Sequence, residues 1–180
     1  MRSILISFVL VASLQARAAE TVFGGNSEAA ACYHAATVHP QTADVETCTA
    51  AIKDGNLSQQ DLAATYSNRG IILANTGQLD KAIADQTTAV ELDPNSARAH
   101  NNRANAYYRA QRHKEALEEY NEAISLSGGK LAPAYYNRAQ AHQALGEQDE
   151  ARQDLQQAAA LAPETYKQDL DATPDHPAGS

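Results

Sequence analysis

An asparagine–arginine pair followed by a small residue occurs three times in this chain at a nearly constant spacing. The segments YSNRGIIL, HNNRANAY and YYNRAQAH place Arg69, Arg103 and Arg138 at intervals of 34 and 35 residues. A period of roughly 20–50 residues is typical of repeat proteins. In such proteins one repeat cannot bury its hydrophobic face alone, so neighbouring repeats must stack. The chain is therefore predicted to be an array of similar units.

Small residues recur in phase with these triplets. The triplets end in Gly70, Ala104 and Ala139. Alanine follows at two later positions of every repeat, first Ala82, Ala116 and Ala151, and then Ala89, Ala123 and Ala158. The first and third repeats end at Pro94 and Pro163, whereas the second has Gly128 at that position and one extra residue. That insertion explains the interval of 35.

Each repeat is predicted to form two helices. In the first repeat Tyr66, Gly70 and Leu73 share one face at helical spacing. Gly77 supplies a helix stop, and a second helix is expected over 79–92, ending before Pro94. Gly70 and Ala82 would let the two helices approach closely, because a larger side chain there would overpack the hairpin at a cost of about 1–3 kcal/mol.

With these positions in phase, residues 63 to 165 resemble the tetratricopeptide repeat (TPR) family, whose 34-residue units carry small residues at the closest helix contacts and a terminal proline. The resemblance implies an all-α fold, a right-handed α-solenoid of helical hairpins, with repeats at 63–96, 97–131 and 132–165. The chain departs from the family pattern in three ways: no tryptophan begins a repeat, Gln111 replaces the interhelix glycine and Gly128 replaces a proline.

The segments that flank the repeats are predicted to cap them. Residues 19–62 contain a degenerate helical hairpin, and residues 166–180 a short capping helix with a disordered tail. Cys32 and Cys48 flank the loop of the N-terminal hairpin, and an even cysteine count in an exported chain favours a disulfide. A metal site is the alternative, but the spacing of His34 and His39 matches no common zinc pattern. We expect no metal and no cofactor.

The first 18 residues have the layout of a secretory signal peptide. Arg2 precedes an apolar run, and an Ala-x-Ala sequence ends at Ala18. An uncleaved anchor is the alternative, although the run is shorter than the roughly 20 residues that a membrane helix needs. We predict cleavage near Ala18, export to the periplasm or medium, and no membrane span in the mature chain.

Charge and motifs exclude several classes of function. The formal net charge is −8, and loss of Arg2 and Arg17 with the signal peptide would make it more negative. Scattered cations in an acidic chain do not form the clustered basic surface that nucleic acid requires. No nucleophile elbow, phosphate loop or metal-ligand run is present. The chain is therefore predicted not to be an enzyme, and the dispersed histidines His100 and His142 are assigned to packing.

The repeated arginines are predicted to be structural. Each repeat carries an acid three residues after its contact alanine. These acids are Asp85, Glu119 and Asp154, which are expected to pair with Arg69, Arg103 and Arg138. We expect the pairs to be partly exposed and each to contribute about 1 kcal/mol or less.

The other side of the first helices is predicted to bind a protein or an extended peptide. In the family that the sequence resembles, first helices line the concave groove, and an asparagine amide both donates to and accepts from a peptide backbone. A solvated face, or a hydrogen bond between repeats, is the alternative for the asparagines. The candidate groove residues are Asn68, Ile71, Asn75, Arg98, Asn101, Asn102, Asn105, Tyr108, Arg109, Tyr136, Asn137 and Gln140.

One branch of this family holds the carboxylate tail of chaperones with Lys, Asn and Arg on three successive first helices. Only Asn102 fits that pattern, because Ser67, Ile71, Pro133 and Asn137 stand at the other four positions. That specificity is therefore not expected. The predicted function is a non-catalytic scaffold or adaptor of the cell envelope. The alternative is an accessory subunit of an envelope enzyme or secretion complex that docks by its outer surface.

Overall fold

The computed structural model describes residues 27–38 and 44–172, and in these residues the chain is helical without strands. The predicted signal peptide over 1–18 and the tail beyond 172 lie outside the described residues. The chain divides between Pro94 and Asn95 into two compact units. Each unit is described by itself.

The first unit contains two helical hairpins. Helices α1 (Ser27–Val38) and α2 (Asp44–Asp54) form the N-terminal hairpin. Helices α3 (Gln59–Asn75) and α4 (Leu79–Leu92) form the first clear repeat, and α4 has the bounds that the sequence predicts. Both helices of the N-terminal hairpin also pack against α3. The hairpin therefore stacks on the repeat as a further, atypical repeat would.

The second unit contains two repeats and a final helix. Helices α5 (Ala97–Arg109) and α6 (His113–Leu126) form one hairpin, and α7 (Ala132–Leu145) and α8 (Gln148–Leu161) form the next. Helix α9 (Pro163–Ala172) packs against α8. It begins at Pro163, three residues before the cap predicted from the sequence.

Local signals in the sequence account for where these helices begin and end. Ser58 and Ser96 cap α3 and α5 by accepting hydrogen bonds from backbone amides three residues on. Gly77 and Gly146 follow first helices with φ values of 82°, a conformation that glycine adopts without steric cost. Gln111 stands at the equivalent point with φ 61°, which costs a residue with a side chain about 1 kcal/mol. The turn geometry is thus retained although the glycine is not.

Alanine fills the closest contacts within each repeat. The two alanine series along the second helices, 82, 116, 151 and 89, 123, 158, are all 0% exposed. Gly70 is predicted to let the facing backbone approach closely. In the structure, a side chain of the facing helix occupies the space beside Gly70 instead. A Cβ atom at Gly70 would lie 2.7 Å from Nε2 of Gln86, which itself donates to the backbone oxygen of Ser67 at 2.9 Å.

The two cysteines occupy the same relative positions as these contacts. Cys32 and Cys48 are 16 residues apart, the separation that also joins Gly70 to Gln86. Their side chains face each other between α1 and α2, and both residues are fully buried beside Ile72 of α3. The predicted disulfide would therefore join the two helices at the position where the other repeats have a packing contact.

Candidate functional site

The predicted arginine–carboxylate pairs are confirmed in all three repeats. Arg69 and Asp85 form two hydrogen bonds, at 2.7 Å from Nε and 2.8 Å from Nη2. Arg138 and Asp154 form the same bidentate pair at 2.7 and 2.6 Å. Both pairs join the first helix of a repeat to its second helix. The hydrogen bond to Asp85 is the main cause that raises the pKa of Arg69.

These pairs are more buried than the sequence analysis expects. The arginine side chains are 16–21% exposed and the acids 5–17% exposed. Removing one partner of such a pair leaves a charge with little access to water, which costs more than the loss of a surface pair. Loss of a single partner is therefore expected to cost more than the roughly 1 kcal/mol or less predicted for the pair itself.

The second repeat uses a variant of the same pair. In the first and third repeats a tyrosine three residues before the arginine packs its ring against the guanidinium, at 5.2 and 5.5 Å. The second repeat has His100 at that position, and its Nδ1 contacts Oε2 of Glu119 at 2.8 Å. Arg103 reaches only Oε1 of Glu119, at 2.6 Å. His100 thus contacts the acid of this pair, in addition to the packing to which the sequence assigned it.

Two arginines also connect neighbouring hairpins, which the sequence analysis did not predict. Within the first unit, Arg69 Nη1 donates to Oγ1 of Thr49 on α2 at 3.0 Å. Within the second unit, Arg138 Nη1 donates to Oδ1 of Asn121 on α6 at 2.6 Å. Thr49 and Asn121 occupy the same position in their hairpins. Each comes one residue after the second-helix side chain that faces the small residue of the first helix. Each of these arginines therefore fixes its own hairpin and the preceding one.

A surface with amide side chains and arginines lies on the first helices of the second unit. Four residues of α5 are spaced at i, i+4, i+7 and i+11, which places them on one helix face. Asn137 Nδ2 of α7 donates to Asn101 Oδ1 of α5 at 3.3 Å, so the two helices meet along this side. We call the set the amide face: Arg98, Asn102, Asn105 and Arg109 on α5, and Asn137 and Gln140 on α7.

The amide face combines exposed charges with partly buried amides. Arg98 and Arg109 are exposed, whereas Asn102, Asn105 and Gln140 are partly buried. Asn105 Oδ1 accepts a hydrogen bond from the Tyr120 hydroxyl at 2.6 Å. Burial raises the pKa of Tyr120, so the phenol stays protonated and remains a donor. The Tyr120 hydroxyl thus fixes the side chain of Asn105. The sequence analysis offered a hydrogen bond between repeats as the alternative role of the asparagines, and Asn101 and Asn137 form such a bond.

Two tyrosines predicted to contact a partner lie beside the amide face and make contacts within the unit. Tyr108 is partly buried, and its ring centroid is 5.2 Å from that of His113. Tyr136 stacks on Tyr166 of α9, with centroids 4.8 Å apart. The repeat pattern offered no signal for Tyr166, because it lies beyond the last repeat. The final helix therefore covers part of the side of α7 that was predicted to be open.

The remaining candidates lie on α3 in the first unit. Asn68 is only 9% exposed, and its Nδ2 atom has no hydrogen-bond partner among the described residues. Ile71 is partly buried and Asn75 is exposed. Little of the Asn68 side chain is therefore accessible to a partner, although the sequence predicts that it lines the groove. The candidates of the second unit, by contrast, come together on adjoining helices.

In residues 27–38 and 44–172, no group of three or more His, Cys, Asp or Glu side chains is arranged to hold a metal ion. Within the same residues, none of the helices has the length and apolar character needed to cross a membrane. The absence of catalytic activity stays a prediction.

These stacked hairpins, with small residues at their contacts, define a TPR protein. The sequence matches the tetratricopeptide repeat family profile over residues 61–127 and 95–164, which together span more than half of the chain. The chain therefore belongs to the tetratricopeptide repeat family. The predicted fold class, an α-solenoid of TPR hairpins, is thereby confirmed.

The known proteins that this chain is similar to include tetratricopeptide repeat protein 36 of two organisms. It is 36% identical to tetratricopeptide repeat protein 36 of Xenopus tropicalis over 124 residues, 65% of this chain and 60% of the relative. The relative of that name in Caenorhabditis elegans is 39% identical over 74 residues, 41% of each chain. The chain thus spans less than two thirds of the length of these relatives.

The similar solved structures include complexes with peptides. The first TPR of Spaghetti (RPAP3), bound to the HSP90 peptide SRMEEVD, is 28% identical with a TM-score of 0.57, covering 61% of this chain and 87% of that chain. The second TPR domain of human RPAP3, in complex with the HSP70 peptide SGPTIEEVD, is 27% identical with a TM-score of 0.59, covering 66% and 100%. MamA, at 23% identity, a TM-score of 0.58 and 67% coverage of each chain, supports the fold alone.

Proposed function

We propose that this protein is a non-catalytic scaffold or adaptor that holds a segment of a partner protein on the amide face of its second unit. The observation that carries the proposal is the arrangement of Asn102, Asn105 and Gln140 beside two exposed arginines on adjoining first helices. Side-chain amides both donate and accept, so they match an extended peptide backbone. The peptide complexes of the RPAP3 domains support the same use of this fold.

The partner is proposed to be recognised differently from the RPAP3 peptides. The chain has Ser67, Ile71, Pro133 and Asn137 where a carboxylate-binding TPR carries lysine, asparagine and arginine. Asn68 on α3 is also too buried to contribute to a carboxylate site. A terminal carboxylate is therefore not the proposed main determinant of binding.

Substitution of the amide face tests this function. The combined variant Asn102→Ala, Tyr108→Phe and Arg109→Ala should retain at least tenfold less of the partner in affinity capture from the exported fraction, because central contacts carry most of the binding energy. Tyr108 is changed to phenylalanine rather than alanine because its ring packs against the cluster around Ala104 and Tyr120. Mass spectrometry of the captured proteins provides the measurement.

The matched control changes the outer side of the same unit. Glu118 and Glu122 are exposed on α6, and Glu118→Ala with Glu122→Ala should leave capture unchanged. If the α6 variant loses the partner and the amide-face variant keeps it, then docking by the outer surface, as an accessory subunit would do, replaces the proposal. Equal melting temperatures of the variants would show that lost capture does not reflect unfolding.

We further propose that the protein acts in the cell envelope after export, with Cys32 and Cys48 joined. The sequence of residues 1–18 and the position of the two buried cysteines, which face each other between α1 and α2, support this proposal. The mature protein from its native host should begin at Ala19, and an alkylating reagent added to the unfolded chain should label neither cysteine before reduction and both after it. Intact mass measures both properties. A chain that keeps Met1 and has two free thiols would contradict export.

A further inference from the structure

Two side chains hold the final helix, α9, against the second unit. Among residues 163–171 of this helix, whose side chains the structure describes, Tyr166 and Leu170 are partly buried and the others are exposed. They are four residues apart, so they lie on one face of the helix. Leu170 packs against the buried cluster that α7 and α8 form together, and Tyr166 stacks on Tyr136 of α7. We call Tyr166 and Leu170 the anchors of α9.

Helix α9 has little stability of its own. It contains ten residues, and an isolated helix of that length is marginal in water. It joins α8 through Ala162, whose backbone angles of φ −144° and ψ 72° are not helical. Segments with few buried contacts open locally while the rest of a protein stays folded. Detachment of α9 at Ala162 therefore requires only that the anchors leave their contacts.

The docked helix covers a residue on the side of α7 that is proposed to face the partner. Tyr136 is four residues before Gln140, a member of the amide face, so the two side chains lie on the same side of α7. The Tyr166 ring lies 4.8 Å from the Tyr136 ring, with 27° between their planes. A stacked ring occupies one whole face of its neighbour. A partner on the amide face therefore cannot contact that face of Tyr136 while α9 is docked.

We propose that α9 is an autoinhibitory strap, which withholds Tyr136 from the partner and must detach before the partner binds fully. This inference rests on the proposed function and adds its regulation. When only some molecules are in the binding-competent state, the apparent affinity is reduced by the fraction that is competent. Releasing α9 should therefore strengthen binding, whereas a helix that only seals the last repeat would have no such effect.

Loss of the anchors tests whether they hold α9. In the full-length protein, Tyr166→Ala with Leu170→Ala should speed amide hydrogen exchange in α9 at least tenfold, while α8 keeps its protection. Lys167→Ala with Gln168→Ala is the matched control, because it changes exposed residues of the same helix. Exchange in α9 should be the same in this control as in wild type.

The effect on binding is measured with the partner that wild-type protein retains in the capture experiment. At equal amounts of protein, the anchor variant should retain at least fivefold more of that partner than wild type or the control, because no binding energy is spent on displacing α9. Adding Tyr136→Ala to the anchor variant should remove this gain. Adding Tyr136→Phe should preserve it, since phenylalanine keeps the ring that the partner would contact.

A synthetic copy of α9 tests competition for the same surface. The probe is the blocked decapeptide PETYKQDLDA, added at millimolar concentration because so short a helix is marginal when free. It should lower retention of the partner by the anchor variant toward the wild-type level. The same peptide with alanine in place of its tyrosine and leucine should have no effect.

The strap is excluded if the anchor variant retains no more partner than the control, or if exchange in α9 is unchanged when the anchors are lost. A gain that survives Tyr136→Ala, or that the α9 peptide does not reduce, would also overturn it. The amide-face variant described above keeps both anchors, so it decides the proposed function separately. Loss of the partner in that variant, without a gain in the anchor variant, would leave the proposed function standing and remove the strap.

Discussion

Arg138→Ala is expected to lower the free energy of unfolding by about 3 kcal/mol. The substitution removes both hydrogen bonds to Asp154, whose side chain is only 5% exposed, and the bond from Nη1 to Asn121. A carboxylate left buried beside only His142, whose Nε2 is 3.8 Å away, cannot regain full hydration. Chemical denaturation followed by circular dichroism measures the loss.

An exposed ion pair in the same unit serves as the control. Arg112 pairs with Glu115, and the two side chains are 47% and 43% exposed. Arg112→Ala should therefore lower the stability far less than Arg138→Ala, because water screens the exposed pair. Similar losses for Arg138→Ala and Arg112→Ala would show that burial of the Arg138–Asp154 pair does not determine its contribution to stability.

Ala116→Leu is expected to destabilise the protein by a similar amount, about 3 kcal/mol. Ala116 is fully buried in a cluster with Ala104, Tyr120 and Ala141. Leucine adds three carbon atoms at a contact between α5 and α6, so the helices must separate or the Tyr120 ring must move. Movement of that ring would also break its 2.6 Å hydrogen bond to Asn105. Thermal and chemical denaturation both report the change.

Ala160→Leu provides the matched control for this overpacking. Ala160 is exposed on the second helix of the next repeat, so the added carbons extend into solvent. Alanine and leucine are both good helix formers, and the change should be within about 0.5 kcal/mol of neutral. If Ala116→Leu proved as harmless as Ala160→Leu, the close alanine contact would not be what holds the hairpin together.

These two predictions differ in how far the sequence alone could support them. The overpacking at Ala116 follows from the repeat, because alanine recurs at this position in every copy. The repeat pattern does not predict how much stability is lost when Arg138 is removed. Sequence spacing identified Asp154 as the partner, but the exposed fraction of the pair and its bond to Asn121 depend on how α6, α7 and α8 pack.

The candidate binding surface, too, could be predicted from the sequence only in part. The sequence placed Arg98, Asn102, Asn105 and Arg109 on one helix face, and the structure agrees. It could not show that Tyr120 holds Asn105, or that Tyr166 stacks on Tyr136. Both contacts come from other helices, and no property of α5 or α7 alone encodes them.

The sequence by itself determined the helices, their order, the small residues at their contacts and the pairing of each arginine with one acid. All of these are local or repeat every 34 residues, so periodicity and spacing carry them. Only the tertiary structure decided that Asn68 is buried, that His100 shares Glu119 with Arg103, and that the cysteines occupy the Gly70–Gln86 type of contact. The physical reason is that burial and shared hydrogen bonds depend on the distances between helices, which the repeat pattern does not specify.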